Sequence, residues 1–548
     1  MPKTCLVLTT VLTAAFLFVA SPQLHAQTAA PLAGQVTSAE EGAMEGVIVS
    51  ARKDGSNITV SVVSDDKGRY SFPGGKLAAG QYTLTARAAG YNLEGPKTAT
   101  VPAAAAVDLK LVKTRNLAHQ LTNTEWMMSV PGSEDEKLQL INCVSCHTVE
   151  RIMRSTHDSD EFVQVIARMN GYAQVSQPIK PQRRVDLSRA ADPERFRKMA
   201  DWLATVNLSK TDKWEYALKT LPRVKGRSTK VVITEYDLPR QTIEPHDVVV
   251  LNGTVWYSNF GEQFLGRLDP KTGAHKEFAM TEFKKGFPSG NLDVGLDKQG
   301  NIWLGMMYQA AVAKFDPKTE QFQYFRPDPS RDRDNLQLNM VTTNYDVDGK
   351  VWINDAGTSN ILRLDVNTGK FEEFDPLKAL PAGKAGHSIY DVRADSQNNV
   401  YLTEYQRNNL ARIDAKTGKF TFYQVPTNFS RNRRGRIDEH DRFWFAQYRG
   451  NKITMFDTRA ETFKEFALPT KYTQPYDVVV DKNGDAWTGG MLSDRVVRLD
   501  PKTGNAVEYP MPRDTNMRRM FVDNSTSPPT FWVGSNHGAS IVKVEPLD

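Results

Sequence analysis

Cysteine is almost absent from this chain of 548 residues. Only three occur, and the first, Cys5, lies in a leader segment that we expect to be removed. The other two, Cys143 and Cys146, are three positions apart and leave no thiol for a structural disulfide elsewhere. We therefore do not expect a scaffold stabilised by disulfides.

Charge imbalance and long apolar runs are missing as well. The formal net charge is only +5, from 69 basic and 64 acidic residues that are interspersed along the chain. So small an excess does not indicate nucleic-acid binding. After the leader no apolar run is long enough to cross a bilayer, which predicts a protein without a membrane span.

Residues 1–26 have the features of an export signal. Lys3 supplies the positive charge, residues 6–20 are apolar but too short for a spanning helix, and Ala26 offers a small residue at the cleavage position. The pattern predicts a mature chain that begins at Gln27. Together with the motif described next, it predicts a periplasmic location.

The motif Cys-x-x-Cys-His occupies residues 143–147. Its spacing places the thiols of Cys143 and Cys146 to form thioethers with a haem, and His147 offers an imidazole to the iron. The alternatives are a surface loop or a redox dithiol. Because the motif accompanies an export signal, we predict a covalent haem c and a role in electron transfer.

Helical periodicity surrounds the motif over residues 114–227. Residues 136–142 lead into it, Asp158 is the predicted N-cap of a second helix, and Asp192 with Pro193 begins a third, amphipathic one. This arrangement resembles a small all-α class I cytochrome c domain. The motif does not determine what lies on the distal side of the haem iron, and the sequence offers several candidates for a distal ligand there.

Met169 is the first candidate for that distal ligand, because it ends the second helix beside Gly171 and lies far from His147 along the chain. A thioether ligand raises the haem potential and suits electron transfer. His157, Met199 and an open coordination site are the alternatives. Met169 as an apolar gap filler is the structural alternative.

Residues 34–113 alternate apolar and polar side chains with period two, interrupted by turn sequences. The order Asp-Lys-Gly-Arg-Tyr-Ser-Phe, Ala-Gly-Gln-Tyr-Thr-Leu and Ala-Gly-Tyr resembles the carboxypeptidase regulatory-like β-sandwich. That family is usually a structural or docking module, so we expect no chemistry in this domain.

Residues 228–548 contain one pattern seven times, an apolar strand followed by a turn and an aromatic residue. The aromatic residues are Trp256, Trp303, Trp352, Tyr401, Trp444, Trp487 and Trp532. Their spacing is typical of propeller blades of about 40–50 residues. The last copy lacks its outer strand, and residues 233–239 match it, so we predict a seven-bladed β-propeller closed by this segment. The whole fold is then multidomain and mainly β.

Two rings of side chains are expected to face one end of the propeller channel. The first ring, at the start of the innermost strands, comprises Asp247, Asp293, Thr342, Asp391, Arg434, Asp477 and Arg519. The second, three positions after each blade aromatic, comprises Asn259, Met306, Asp355, Glu404, Gln447, Gly490 and Ser535. Capping of strands by the aspartates, and their pairing with the arginines, is the alternative to a chemical role.

Three histidines, His246, His387 and His537, fall at loop or strand ends near this channel mouth. With Glu404 and Asp355 they are candidates for a hard metal site or an acid–base pair. A structural or solvent-facing role is the alternative for each histidine.

Nearby arginines form the main basic cluster of the chain. It comprises the segment Arg431–Arg436, with Arg518 and Arg519. The cluster is a candidate to hold an anionic substrate or an acidic partner protein, and a solvated basic loop is the alternative.

The blade consensus, Pro-x-Asp-Val-x-Val-Asp-x-x-Gly-x-x-Trp, resembles the virginiamycin B lyase (streptogramin lyase) propeller family across residues 228–548. Val400–Glu404 is similar to that family's Trp-Phe-Thr-Glu segment, whose glutamate helps to bind Mg²⁺ for ring opening by elimination. By this resemblance Glu404 would bind Mg²⁺, with His387 as base or metal neighbour. The chain departs from the family by carrying a haem motif, and by Asn259 and Gln447 at equivalent positions.

Three functions follow as hypotheses. The favoured one is a periplasmic haem-c electron carrier or oxidoreductase, in which the propeller binds an organic or anionic substrate or a redox partner protein and the cytochrome domain relays electrons. The second is a metal-dependent C–O lyase of the streptogramin type. The third is a non-catalytic binding module.

Overall fold

The computed structural model describes residues 1, 31–95, 97–185, 192–342, 349–379, 388–406 and 408–548. The predicted export signal and His387 lie outside these ranges. The described residues form a mainly β, multidomain protein with a β-sandwich-like region, a helical region and a propeller-like region. No helix among them is long and apolar enough to cross a membrane.

The sandwich-like region has two sheets, one with the strand order β2-β1-β9-β7 with β5 beside β1, and the other with the order β4-β3-β6-β8. The strands are β1 (Ala33–Ser38), β2 (Gly42–Ala43), β3 (Ile48–Lys53), β4 (Ile58–Val63), β5 (Arg69–Ser71), β6 (Gly80–Arg87), β7 (Tyr91–Glu94), β8 (Thr98–Val101) and β9 (Leu109–Lys113). Alternation places one side of each strand in the core, as Tyr82 and Leu84 of β6 illustrate.

The helical region contains five short helices: α1 (Asn123–Ser129), α2 (Glu134–Gln139), α3 (Val149–Met153), α4 (Ser159–Asn170) and α5 (Arg197–Val206). The predicted cap of α4 is confirmed, since the Asp158 carboxylate accepts from the Glu161 amide at 2.9 Å and the Glu161 carboxylate accepts from the Asp158 amide at 3.0 Å. The Asp192 side chain caps a 3-10 turn, Pro193–Phe196, that leads into α5.

Six four-stranded sheets follow in chain order, and a seventh set of four strands belongs to a larger sheet. The inner strands of all seven contact one another in a closed ring, with the last beside the first. The first four blades are β11 (Pro245–Leu251) to β14 (His275–Ala279), β15 (Leu292–Leu296) to β18 (Gln321–Phe325), β19 (Leu338–Thr342) to β22 (Phe371–Phe374) and β23 (Ile389–Ala394) to β26 (Phe420–Gln424).

The next three blades complete the ring. They are β27 (Asn432–Ile437) to β30 (Thr462–Ala467), β31 (Val479–Val480) to β34 (Ala506–Pro510), and β35 (Met517–Asp523) to β37 (Ser540–Pro546) with β10 (Val231–Asp237).

The remaining strands lie within these blades: β12 (Thr254–Asn259), β13 (Phe264–Leu268), β16 (Ile302–Gly305), β17 (Val312–Asp316), β20 (Lys350–Asp355), β21 (Asn360–Asp365), β24 (Val400–Glu404), β25 (Asn409–Ile413), β28 (Arg442–Gln447), β29 (Lys452–Asp457), β32 (Ala486–Gly489), β33 (Arg495–Leu499) and β36 (Thr530–Ser535).

The repeated Asp-x-x-Gly-x-x-Trp sequence has a physical basis in this ring. The Asp297 carboxylate accepts from the Trp303 indole N–H at 2.9 Å, and Asp481 accepts from Trp487 at 2.8 Å. Each aspartate also accepts backbone amides of the turn that separates the first two strands. The repeat therefore satisfies a buried donor in each of these blades.

Closure by an N-terminal strand is confirmed, with a feature that the sequence does not predict. β10 pairs with β37 and completes the seventh blade, as expected. Its other edge pairs with β4 of the sandwich-like region, with Val232 opposite Val62. One eight-stranded sheet thus joins the two regions and covers the outer edge of the seventh blade.

Candidate functional site

The Cys-x-x-Cys-His segment lies in a short turn of the helical region. Residues Leu140–Ser145 form a 3-10 turn directly after α2, and the amides of Cys146 and His147 donate to the Cys143 carbonyl at 3.2 and 3.3 Å. Both cysteines are free thiols. Burial raises the pKa of Cys143 to about 12 and that of Cys146 to about 11. Redox dithiols need a lowered thiol pKa, so these surroundings disfavour that alternative.

The imidazole of His147 is fixed through one ring nitrogen. Its Nδ1 lies 3.0 Å from the Thr148 carbonyl oxygen, and burial lowers its pKa. A neutral ring in this position donates Nδ1–H to the carbonyl, which leaves the Nε2 lone pair available. Metal-binding histidines are commonly oriented by such a bond from their second nitrogen.

The propeller holds the motif turn through its backbone. The Asn516 amide donates to the Val144 carbonyl at 3.0 Å, and the Arg518 guanidinium donates to the Ser145 carbonyl at 2.8 Å. Nε2 of His537 lies 3.2 Å from the same Ser145 oxygen. Of the two predicted channel-mouth histidines that lie in the described ranges, His246 and His537, it is His537 that contacts the motif. The turn is fixed against the seventh blade.

A cavity of about 220 Å³ opens beside this contact, between the segment that follows α4 and the propeller. Gln174 and Arg184 contribute from the helical side. The aromatic wall residues are Phe260, Phe287, Tyr308, Tyr390 and Tyr476. Arg518 both lines the cavity and bonds to the motif turn, so the cavity lies next to the Cys-x-x-Cys-His segment.

Glu244 is a buried carboxyl group close to the motif. It is 1 % exposed, and its Oε2 has no hydrogen-bond partner among the described residues. Burial raises its pKa to about 8, against the opposing influence of Arg518 and Lys180. Nothing in the repeat singles out this position, since the equivalent residues of two other blades are Ser388 and Gln474.

His246, predicted as a catalytic candidate, belongs to a chain of hydrogen bonds that begins at the cavity wall. Arg433 donates to the Tyr390 hydroxyl at 2.9 Å, and Tyr390 donates to the Tyr476 hydroxyl at 2.7 Å. The Tyr476 hydroxyl lies 3.2 Å from Nε2 of His246, whose Nδ1 contacts the Asp247 carboxylate. Burial lowers the pKa of His246 to about 3, so its ring is neutral.

The first predicted ring is a buried network of ion pairs. Arg434, which is fully buried, lies 2.7 Å from the Asp247 carboxylate, and Arg519 lies 3.0 Å from it. Arg519 also pairs with Asp293, and Arg393 pairs with Asp391 at 2.8 Å. Pairing with arginines, the structural alternative, is therefore confirmed for these aspartates: Arg434 and Arg519 neutralise Asp247 and Asp293, and Arg393 neutralises Asp391.

The residues of the predicted metal site have different surroundings in the structure. Glu404 is 1 % exposed at the end of β24, whereas the Asp355 carboxylate accepts from the amides of Gln337 and Gly357, both at 2.9 Å, and fixes its own loop. No three His, Cys, Asp or Glu side chains converge as a metal site in the part of the chain that the structure describes. His387 lies outside that part, so the Mg²⁺ site stays a prediction.

The candidate distal ligands lie on the helical region. Met169, near the end of α4, is 40 % exposed. His157 precedes α4, with Nδ1 3.5 Å from the Glu161 carboxylate. Met199 packs against the helical core, which fits the packing alternative. The assignment of Met169 as the distal haem ligand remains a prediction.

Comparison with known families identifies two parts of the chain. Residues 31–113 match the carboxypeptidase regulatory-like domain, and residues 375–547 match the virginiamycin B lyase family. Both predicted resemblances are thereby confirmed for these segments. The chain carries a carboxypeptidase regulatory-like domain and a virginiamycin B lyase-like, propeller-type domain.

One solved structure agrees with this fold, and a second resembles the chain. A streptogramin B lyase structure has 20% sequence identity and a TM-score of 0.50, and the match covers 59% of this chain and 100% of that one. A virginiamycin B lyase from Staphylococcus aureus with Quinupristin has 20% identity and a TM-score of 0.49, with 57% and 99% covered. No sequence among the curated proteins matches the chain.

Proposed function

We propose that this protein is an exported haem-c electron-transfer protein or oxidoreductase, with a cytochrome c domain at residues 114–227 and a substrate or partner site at the propeller mouth. The observation that carries the proposal is the Cys-x-x-Cys-His turn, which has two free thiols and an oriented imidazole and lies beside a cavity. A periplasmic location and a periplasmic redox partner belong to the same proposal.

The residues present fit a covalent haem. Cys143 and Cys146 would form the thioethers, and Nε2 of His147 would bind the iron, since its Nδ1 is already used by the Thr148 carbonyl. Unpartnered polar atoms of the described residues support a missing group here: Asn536, which precedes His537 in the chain, is 1 % exposed, and neither atom of its side-chain amide has a hydrogen-bond partner among them. When bound, a haem c accepts and donates single electrons.

The chain's own side chains would support this role in two ways. Asn516, Arg518 and His537 hold the motif turn in one position against the propeller, which fixes the distance between the turn and any ligand in the cavity. Second, Phe260 of the aromatic wall packs against Arg518, whose guanidinium carbon lies 5.1 Å from the centre of the ring.

Substitution of the motif tests the proposal. The full chain, exported by a host that attaches haem c, should show a haem spectrum that survives denaturation. The double variant Cys143→Ser/Cys146→Ser should lose it, whereas His147→Ala should keep covalent haem with an altered spectrum. A wild-type protein without haem would refute the proposal.

The distal ligand is tested in the same protein. Met169→Leu should change the visible spectrum and lower the reduction potential if Met169 binds the iron, because a thioether ligand raises that potential. The matched variant Met199→Leu should leave both unchanged. A changed spectrum and potential in Met199→Leu alone would assign the ligand to Met199. No change in either variant would point to His157 or to an open site.

A metal-dependent lyase is the second candidate. It is favoured by the match of residues 375–547 to the virginiamycin B lyase family, a segment that includes the buried Glu404. Under this alternative, Mg²⁺-dependent opening of a cyclic lactone is lost in Glu404→Gln and retained in Cys143→Ser. The electron-transfer proposal predicts no such activity in either protein.

A further inference from the structure

Arg518 is a buried guanidinium group: it is 4 % exposed, and no carboxylate among the described residues forms an ion pair with it. The buried carboxyl group that interacts with it electrostatically, Glu244, has its pKa raised to about 8 and is uncharged at neutral pH. The Nε and Nη2 of Arg518 are used by the Asn516 side chain and the Ser145 carbonyl, both at 2.8 Å. The two N–H groups of Nη1 remain, and the residue lines the cavity. A buried cation in this state favours an anionic ligand.

The rings around Arg518 define the shape of such a ligand. The guanidinium carbon lies 5.1 Å from the centre of the Phe260 ring and 5.8 Å from that of Tyr476. Phe260 and Tyr476 are 2 % and 1 % exposed, and Tyr308 adds a third aromatic wall. Flat, rigid walls of this kind suit a planar aromatic ligand. Asp334, on the exposed rim, is the acidic member of the lining.

The Tyr390 and Tyr476 hydroxyls on the wall are restricted to accepting hydrogen bonds from a ligand. Tyr390 donates its hydroxyl hydrogen to Tyr476. Tyr476 donates its own to Nε2 of the neutral His246, because Nδ1–H of His246 faces Asp247. Each hydroxyl oxygen accepts one bond already and keeps one lone pair. A ligand group at this end of the cavity must therefore donate.

Asn339 provides an independent observation. It lines the same cavity, is 4 % exposed, and its Oδ1 has no hydrogen-bond partner among the described residues. An unpartnered buried carbonyl of this kind also requires a donor. The cavity thus presents a cation to one part of a ligand and hydrogen-bond acceptors to another.

We propose that this cavity binds a small hydroxylated aromatic carboxylate. Its carboxylate binds Arg518, and its hydroxyl group donates a hydrogen bond to Tyr390, Tyr476 or Asn339. The inference rests on the proposed function only in taking this ligand as the substrate. A carboxylate on Arg518 has two possible sources, a free aromatic acid or a propionate of the haem itself, and the experiment must separate them.

Calorimetric titration of the full-length protein, reduced beforehand so that electron transfer adds no heat, is the test. The probes are 4-hydroxybenzoate, benzoate without the hydroxyl, and phenol without the carboxylate. We expect 4-hydroxybenzoate to bind roughly tenfold more tightly than either analogue, since each analogue leaves one buried group unpaired. If phenol binds as tightly as 4-hydroxybenzoate, a haem propionate occupies Arg518 and the proposal fails. Equal binding of benzoate also overturns it.

Variants give a second readout. Arg518→Gln should weaken 4-hydroxybenzoate binding by roughly tenfold while phenol binding is unchanged, a selective loss that misfolding would not produce. Tyr476→Phe should weaken 4-hydroxybenzoate binding, whereas the matched Tyr423→Phe, whose hydroxyl bonds to Glu461 on the surface, should not. Unchanged binding in Arg518→Gln contradicts the inference.

These outcomes are separable from the proposed function. A protein that lacks haem but still binds 4-hydroxybenzoate more tightly than benzoate and phenol refutes the electron-transfer proposal and retains the binding site. A protein that carries haem but binds the three probes equally well refutes only the binding site.

Discussion

Glu244 links the candidate site to the pH dependence of stability. Burial raises its pKa from 4.5 to about 8 in the folded protein. Between these values the folded state binds more protons than the unfolded state, so the contribution of Glu244 to stability falls as the pH rises. The loss is at most about 1.4 kcal/mol for each unit of pH in this window.

Glu244→Gln should remove this loss. We expect the variant to gain thermal stability relative to wild type between pH 5 and pH 8, with the difference growing as the pH rises. The matched surface variant Glu282→Gln should follow wild type. Thermal unfolding at several pH values measures the effect, and a constant difference between Glu244→Gln and wild type would contradict the assignment.

At the residue scale, the sequence predicts those parts of the site whose chemistry is contiguous. Cys143, Cys146 and His147 carry their spacing within five residues, so they can be recognised directly. Arg518 acquires significance only through its burial, and Glu244 through its burial and an unpartnered oxygen, which the linear sequence does not record. Arg518 stands out in the sequence only as a member of a basic cluster.

Strand β10 is the element on which the β regions depend, because it pairs with β37 on one edge and β4 on the other. Thr234→Pro in its centre removes a ladder hydrogen bond and should cost about 1–3 kcal/mol, because it leaves a buried acceptor unpaired. Thr421→Pro on β26, an outermost strand, should cost less. Chemical denaturation compares the two variants, and equal midpoints would contradict a central position for β10.

The motif turn is the second element, and the hydrogen bond that supports it can be tested. Asn516→Ala removes the donor to the Val144 carbonyl and should lower the free energy of unfolding by about 1–3 kcal/mol, because it leaves a buried acceptor unpaired. It should also make the turn more sensitive to proteolysis. The surface variant Asn428→Ala should change neither property, and a protected turn in Asn516→Ala would show that the contact is dispensable.

Repetition explains why the elements of the propeller are predictable while its junction with the sandwich is not. Seven aromatic positions and a missing outer strand together determine the ring and its closing segment, residues 231–237. The pairing of Val232 with Val62 joins strands from different domains, and neither sequence marks the other as its partner. An edge strand needs a cover, but its pattern does not say which one.

At the scale of the whole molecule, the helical region and the propeller share one hydrophobic core. Leu492 and Met491 of the propeller pack with Trp126 and Leu203 of the helices. Leu492 is fully buried, so Leu492→Ala should lower stability by about 2–5 kcal/mol. In protein that carries the proposed haem, haem absorbance and tryptophan fluorescence should report one shared unfolding transition, and Leu492→Ala should shift both signals together.

The matched variant Leu547→Ala, at a position that is 53 % exposed, should leave that transition in place. Two separate transitions, of which only one responds to Leu492→Ala, would show that the regions unfold independently. The fixed position of the motif turn against the cavity would then lose its physical basis.

The most direct test of the account is the mass of the exported full-length protein and of its peptide that contains residues 143–147. A covalent haem c on Cys143 and Cys146 predicts a mass increase of one haem on that peptide, absent from Cys143→Ser/Cys146→Ser. An unmodified peptide with two free thiols, from a host that attaches haem to other proteins in the same preparation, would contradict the central claim.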